Sequence, residues 1–215
     1  MYLKRKIDDY LVEWKNAQEK KPLIIKGARQ IGKTESVVHF AESYENFVNI
    51  NFALEKKFKG ICEDGYEVQT VIKNISRIDP DKKFIVGKTL ILFDEIQDYL
   101  DIATSLKSFC IDGQYDVICS GSMLGINYNK IASNSVGYKS EYEMQSLDFE
   151  EFLWAKGYGE DLTCELLEHM RTGTPFNQTT MNVMNEMFLD FCILGGMPKV
   201  VLTYIQKKNF TGTLE

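Results

Sequence analysis

One stretch limits the possible folds of this chain more than any other. The apolar run Leu23-Ile24-Ile25 leads through Lys26 into Gly27-Ala28-Arg29-Gln30-Ile31-Gly32-Lys33-Thr34, and a helix-patterned segment follows from Lys33 to about Tyr44. The octet has the spacing G-x-x-x-x-G-K-[ST], placed between a strand and a helix as that pattern requires. Glycines let the backbone wrap closely around an anion, and successive N–H groups at a helix N-terminus attract negative charge. All eight residues, Gly27, Ala28, Arg29, Gln30, Ile31, Gly32, Lys33 and Thr34, are therefore candidates for a phosphate cradle. Lys33 is the residue to reach β- and γ-phosphates, and the Thr34 hydroxyl is a candidate Mg²⁺ ligand. The plainer alternative is a glycine loop that caps a helix and carries a solvated lysine.

A second signal is Thr89-Leu90-Ile91-Leu92-Phe93-Asp94-Glu95, a continuous apolar strand ending in two acids. Adjacent carboxylates at the end of a buried strand are costly unless something positive faces them. Alternation sends the two side chains to opposite sides of the strand and gives them different jobs. Asp94 is the candidate for orienting the shell of a phosphate-bound Mg²⁺, and Glu95 for polarising an attacking water. A third strand ends Ile118-Cys119-Ser120-Gly121-Ser122. Ser120 and Ser122 are both candidates to approach a phosphate, Ser122 being favoured because its neighbouring glycine permits close approach. An ordinary strand-to-loop turn explains either serine equally well.

Strands alternating with helices up to Leu147 predict a parallel α/β sheet, and an all-helical pattern follows from 149 to 208. The expected order is a helix over 3–19, then strand 23–25, helix 33–44, strand 47–52 and helix 66–78. After these come strand 89–93, helix 100–111, strand 115–119, a polar loop over 121–140 and a strand near 142–147. This sets a core at residues 1–147 and a helical segment at 148–215. The 215 residues, 44% hydrophobic, are enough for a substantial core and argue against disorder. No apolar run approaches membrane-helix length, and no signal peptide is visible at the N-terminus. Five separate cysteines without a C-x-x-C pair suggest free thiols in a reducing cytoplasm. With a net charge of −6 and only four arginines, nucleic-acid binding is not supported by charge, although a local patch stays open.

Together G-A-R-Q-I-G-K-T, T-L-I-L-F-D-E-I-Q, C-S-G-S-M and S-L-D-F-E-E-F-L-W resemble the prokaryotic AAA+-related P-loop ATPases that carry an AAA_14 domain. The likeness runs from about Tyr2 to Gly157. Gly195-Gly196-Met197-Pro198 resembles the start of the DUF4143 domain of those proteins, which are longer, so the resemblance implies an N-terminal portion of such a protein. It also implies an ASCE-like P-loop NTPase sheet sandwiched by helices and followed by a helical lid. Mg²⁺-dependent ATP binding and hydrolysis, coupled to motion of the lid and C-terminal domain, is the implied activity. The other reading is a nucleotide-gated binding module with little turnover. In such ATPases a polar residue ending the strand beside the D-E strand senses the γ-phosphate, the role open to Ser120 and Ser122. ATP is expected over GTP because Asn129-Lys130-Ile131-Ala132 lacks the aspartate of N-K-x-D. Many relatives place an arginine shortly before the S-x-E-F-L segment, where this chain has Gly137-Tyr138-Lys139. Lys139 offers only a point charge in its place. Slow hydrolysis is expected, with a missing arginine supplied by a neighbouring subunit or by the C-terminal domain. Arg5, Arg77 and Arg171 are read as solvated or ion-paired surface residues.

Overall fold

The computed structural model describes residues 1–122, 137–210 and 212, so most of the polar loop expected over 121–140, including Asn129–Ala132, lies outside the described residues. The chain separates into two compact units. One comprises Asp9–Arg29 and Lys33–Met144, the other Met1–Asp8, Gln30–Gly32 and Gln145–Glu215. Helix α1 (Lys6–Asn16) opens the chain. It is followed by β1 (Leu23–Lys26), α2 (Lys33–Ala41), β2 (Asn46–Asn51), α3 (Val68–Ile78), β3 (Thr89–Asp94), α4 (Asp101–Asp112), β4 (Asp116–Gly121) and β5 (Ser140–Glu143).

These strands form one five-stranded, wholly parallel sheet in the order β2-β3-β4-β1-β5. Its register explains the core. Ile50 pairs with Phe93, Phe93 with Cys119, and Cys119 with Ile24, giving a continuous apolar row across four strands. Period-two alternation sets this row, with Val48, Ile91 and Val117, on one face. There it packs against Val68, Val71 and Ile75 of α3 and against Ile102, Leu106 and Phe109 of α4. Leu23, Ile25, Leu90, Leu92 and Ile118 alternate to the other face and are equally buried. Helix α2 packs against β3 and β4. Both faces are thus covered, which is why Thr89–Asp94 is buried throughout, whereas the edge strands β2 and β5 interleave polar residues.

Several boundaries differ from the sequence pattern, the first helix running Lys6–Asn16 rather than 3–19. Strand β5 is Ser140–Glu143 rather than 142–147, because it pairs with the four residues of β1, Leu23↔Ser140 to Lys26↔Glu143. Helix α2 ends at Ala41 rather than Tyr44, where the chain tightens into turns from Glu42 N to His39 O and from Tyr44 N to Ala41 O. Among the described residues no helix is long and apolar enough to cross a membrane. All five cysteines are free thiols, and burial pushes the Cys62 thiol up to about 11.

The other unit is helical beyond Gln145: α5 (Phe149–Ala155), α6 (Glu160–Thr172), α7 (Gln178–Leu194) and α8 (Pro198–Lys207). Helix α5 begins with a reciprocal cap. Asp148 Oδ1 accepts from Glu151 N at 2.9 Å, and Glu151 Oε2 accepts from Asp148 N at 3.2 Å. Phe152, Leu153, Met187, Leu194, Val201 and Tyr204 form its core with Leu3 and Leu147. Met187 and Phe191 of α7 pack there, while Met181 and Phe188 stay exposed. Arg5 corrects the sequence reading. It is only 4% exposed, because its guanidinium lies 3.1 Å from the Glu151 carboxylate and donates to two backbone carbonyls.

Leu147 N donates to Gly196 O at 2.8 Å, and a Cβ on Gly196 would stand 2.1 Å from the Leu147 carbonyl oxygen. Only glycine allows these strands of backbone to approach so closely. Gly196→Ala should therefore destabilise the helical unit by about 1–3 kcal/mol. Urea unfolding followed by tryptophan fluorescence reads this, and an unchanged midpoint would contradict the contact.

Candidate functional site

The site is built where the parallel strands end. One residue beyond the apolar row, Asn51 of β2 pairs with Asp94 of β3. Ser120 of β4 donates to Asp94 Oδ1. Alternation places Asp94 on the face of Leu90 and Leu92, opposite α3 and α4 and on the side covered by α2. Thr34, the second residue of α2, therefore reaches it, with Oγ1 donating to Asp94 Oδ2 at 3.0 Å. Asn51 Nδ2 donates to the same oxygen at 2.9 Å, and Glu95 N to Oδ1 at 3.1 Å. Asp94 is 2% exposed, so its charge depends on these four donors.

The loop of residues 27–34 takes the shape that its composition suggests. Gly27 and Gly32 have φ of 150° and 93°, and Gln30 is left-handed at φ 63°. Lys33 opens α2, and its Nζ donates to Gly27 O at 3.0 Å and Ala28 O at 2.6 Å. Burial lowers the Lys33 pKa, while Glu95 and Asp94 pull it back toward the charged form. Ala28 and Arg29 lie exposed, whereas Ile31 is buried at 2% exposure.

Glu95 leaves the strand in a left-handed conformation, φ 54° and ψ 49°. Such a conformation is uncommon for a residue with a Cβ and costs of order 1–3 kcal/mol. Its carboxylate accepts from Gln97 Nε2 and, at 3.4 Å, from Ser122 Oγ. Ser122 also donates its N–H to Gln97 Oε1 at 3.3 Å and accepts from Arg29 Nε at 3.4 Å. The two candidate serines therefore occupy different surroundings, Ser120 against Asp94 and Ser122 between Glu95 and Arg29. Lys139 lies 2.9 Å from Glu141 and only 8% of its side chain is exposed.

Asn51 and Gln97 escaped the sequence reading. Asn51 carried a signal: it ends an alternating strand, and adjacent strand ends in a parallel sheet meet. Gln97 carried only its place two residues after Glu95.

Every sequence-derived candidate from Gly27 to Thr34, with Asp94, Glu95, Ser120 and Ser122, lies either in the loop or at these strand ends. The donor set suits Mg²⁺, which favours a hydroxyl and one or two carboxylate oxygens together with phosphate and water. Thr34 and Asp94 supply such oxygens in direct contact.

None of the curated proteins compared with the chain matches it. Among solved structures, a Walker-type ATPase of Pyrococcus abyssi matches with a TM-score of 0.54 at 14% identity, covering 99% of this chain and 70% of that one. Hsp104 bound to ATPγS and FITC-casein, in its closed state, matches with a TM-score of 0.51 at 12% identity, covering 100% of this chain and 39% of that one. At such identities these neighbours establish the P-loop NTPase fold. The family model AAA_14, an AAA domain, matches residues 19–153, more than half of the sequence. The chain therefore belongs to the AAA_14 family of AAA domains, a membership that supports an ATP-binding, ATPase-like function.

Proposed function

We propose that this protein is a Mg²⁺-dependent ATPase in which Gly27–Thr34 holds ATP. The observation that carries the reading is the hydrogen bond from Thr34 to Asp94, which joins two motifs 60 residues apart at one point. In this reading the loop N–H groups bind the phosphates, and Lys33 moves its ammonium from the Gly27 and Ala28 carbonyls to the β- and γ-phosphates. Thr34 and Asp94 would hold Mg²⁺, Asp94 through a water of the metal shell. The metal, when bound, neutralises charge on the transferring phosphoryl group. Ser120 and Ser122 are the two residues proposed to sense the γ-phosphate. Ser122 is the better placed, since Ser120 is fully buried against Asp94. Residues 1–147 act as the ATPase core and 148–215 as a helical lid leading into a DUF4143-type domain, in a cytoplasmic protein.

Glu95 is the proposed general base. Its carboxylate already accepts two hydrogen bonds, from Gln97 and Ser122. This observation favours slow turnover and keeps a nucleotide-gated switch as the second reading. An arginine from a neighbouring subunit or from a further domain would complete the charge cage and raise the rate.

Lys33→Ala should weaken Mg·ATP binding tenfold or more, since it removes a charged hydrogen bond worth about 1.5–3 kcal/mol. Calorimetry measures this directly, and unchanged affinity would refute the loop assignment.

Glu95→Gln should keep ATP affinity while slowing single-turnover hydrolysis by about 10²–10⁴. Asp94→Asn should behave differently. An amide cannot accept from Thr34, Asn51, Ser120 and Glu95 N together, so both Mg²⁺-dependent affinity and thermal stability should fall. Equal hydrolysis by wild type and Glu95→Gln would assign the base elsewhere.

A further inference from the structure

The loop contains one contact that the phosphate chemistry does not call for. Gln30–Gly32 falls in the same compact unit as Met1–Asp8 and Gln145–Glu215. Within that unit Arg5 Nη1 donates to Ile31 O at 2.8 Å. The same guanidinium donates from Nη2 to Gln145 O at 2.8 Å, and its Nε lies 3.1 Å from Glu151 Oε1. Glu151 is itself 4% exposed and also accepts from Lys6 N at 2.7 Å. Arg5 is therefore gripped from two sides and presents its remaining edge to the loop.

The carbonyl it holds lies between two positive-φ residues of the loop, Gln30 at φ 63° and Gly32 at φ 93°. A non-glycine residue persists in that region only where its surroundings over-determine it. Gln30 is exposed, so its own side chain is not buried to secure it. The Ile31 carbonyl is the adjacent handle, and Arg5 takes it. Rotating that peptide plane would lose the hydrogen bond and re-aim the Gly32 N–H, which follows directly in the chain. A Cβ at Gly32 would lie 3.6 Å from Arg5 Nη1, so the guanidinium sits directly behind the loop.

We propose that Arg5 is a positioning residue of the phosphate loop: it fixes the Ile31 peptide and thereby the direction of the N–H groups that face the nucleotide. The proposal rests on the reading of Gly27–Thr34 as that loop. It assigns work to the N-terminal segment, which lies outside the loop and D-E motifs. Lysine cannot replace the fork, because one ammonium cannot span Ile31 O, Gln145 O and Glu151 together. It does keep a cation beside Glu151, so the buried carboxylate is not left unpaired.

The test is Arg5→Lys in the whole 215-residue chain. Circular dichroism monitors folding, amide ¹H–¹⁵N spectra without nucleotide report the loop, and calorimetry with Mg·ATP reports affinity. The expected result is a folded protein with displaced Gly32 and Lys33 amide resonances, unmoved β3 resonances, and a Kd raised about tenfold. If Arg5→Lys does not fold, Arg5→Met combined with Glu151→Gln removes both buried charges and is read in the same way. Wild-type loop resonances and wild-type affinity in a folded variant, with Lys33→Ala still losing ATP, would overturn the role of Arg5 alone. If Lys33→Ala binds ATP normally, the site reading falls, and the amide resonances still decide whether Arg5 holds the loop.

Discussion

The Asp94 carboxylate is the constraint on which the candidate site depends. A charge with 2% exposure at the end of a central strand is sustainable only with donors around it. This fold recruits one from each of three other elements, Thr34 from α2, Asn51 from β2 and Ser120 from β4, and a fourth from the backbone of Glu95. Strand order makes this possible. With β4 between β1 and β3, the helix that follows β1 lies across β4 and β3, and its first turn ends beside Asp94. A different order would separate the loop from the acid whatever the sequence of either.

The two acids of the D-E pair illustrate how backbone geometry divides labour. Asp94 ends the strand and faces α2, engaged by four donors. Glu95 turns into a left-handed conformation and meets Gln97 and Ser122 instead. Its partners are two side chains just beyond the strand ends, whereas Asp94 is engaged by three side chains from α2, β2 and β4 and by one backbone N–H.

Glu151 has a comparable double duty in the helical unit. It closes the capping box of α5 with Asp148 and at the same time pairs with Arg5. The S-L-D-F-E-E-F-L-W segment is thus more than a helix start. Its third helical residue supplies the buried anion that keeps Arg5 in place behind Ile31.

Much of this was legible in the sequence because it depends on local pattern. The glycine spacing of 27–34, the apolar run ending at Asp94 and the alternation of strands with helices each leave a signal within a dozen residues. Asn51 was harder to find, since its meaning comes from its register opposite Asp94 across strands 43 residues apart. The ion pair of Arg5 was among the expectations, but its burial was not, because an arginine in a charged N-terminal stretch looks superficial and its partners at 31, 145 and 151 are distant in sequence. Strand β5 was placed too late because its limits are imposed by the short β1 rather than by its own hydropathy. The most direct test of the central claim, that the loop and the β3 end form one Mg·ATP site, is the Mg²⁺ dependence of ATP affinity in Thr34→Val. The account predicts wild-type affinity in EDTA and loss of most of the gain that Mg²⁺ gives the wild type. The same Mg²⁺-dependent gain in Thr34→Val and wild type would contradict it.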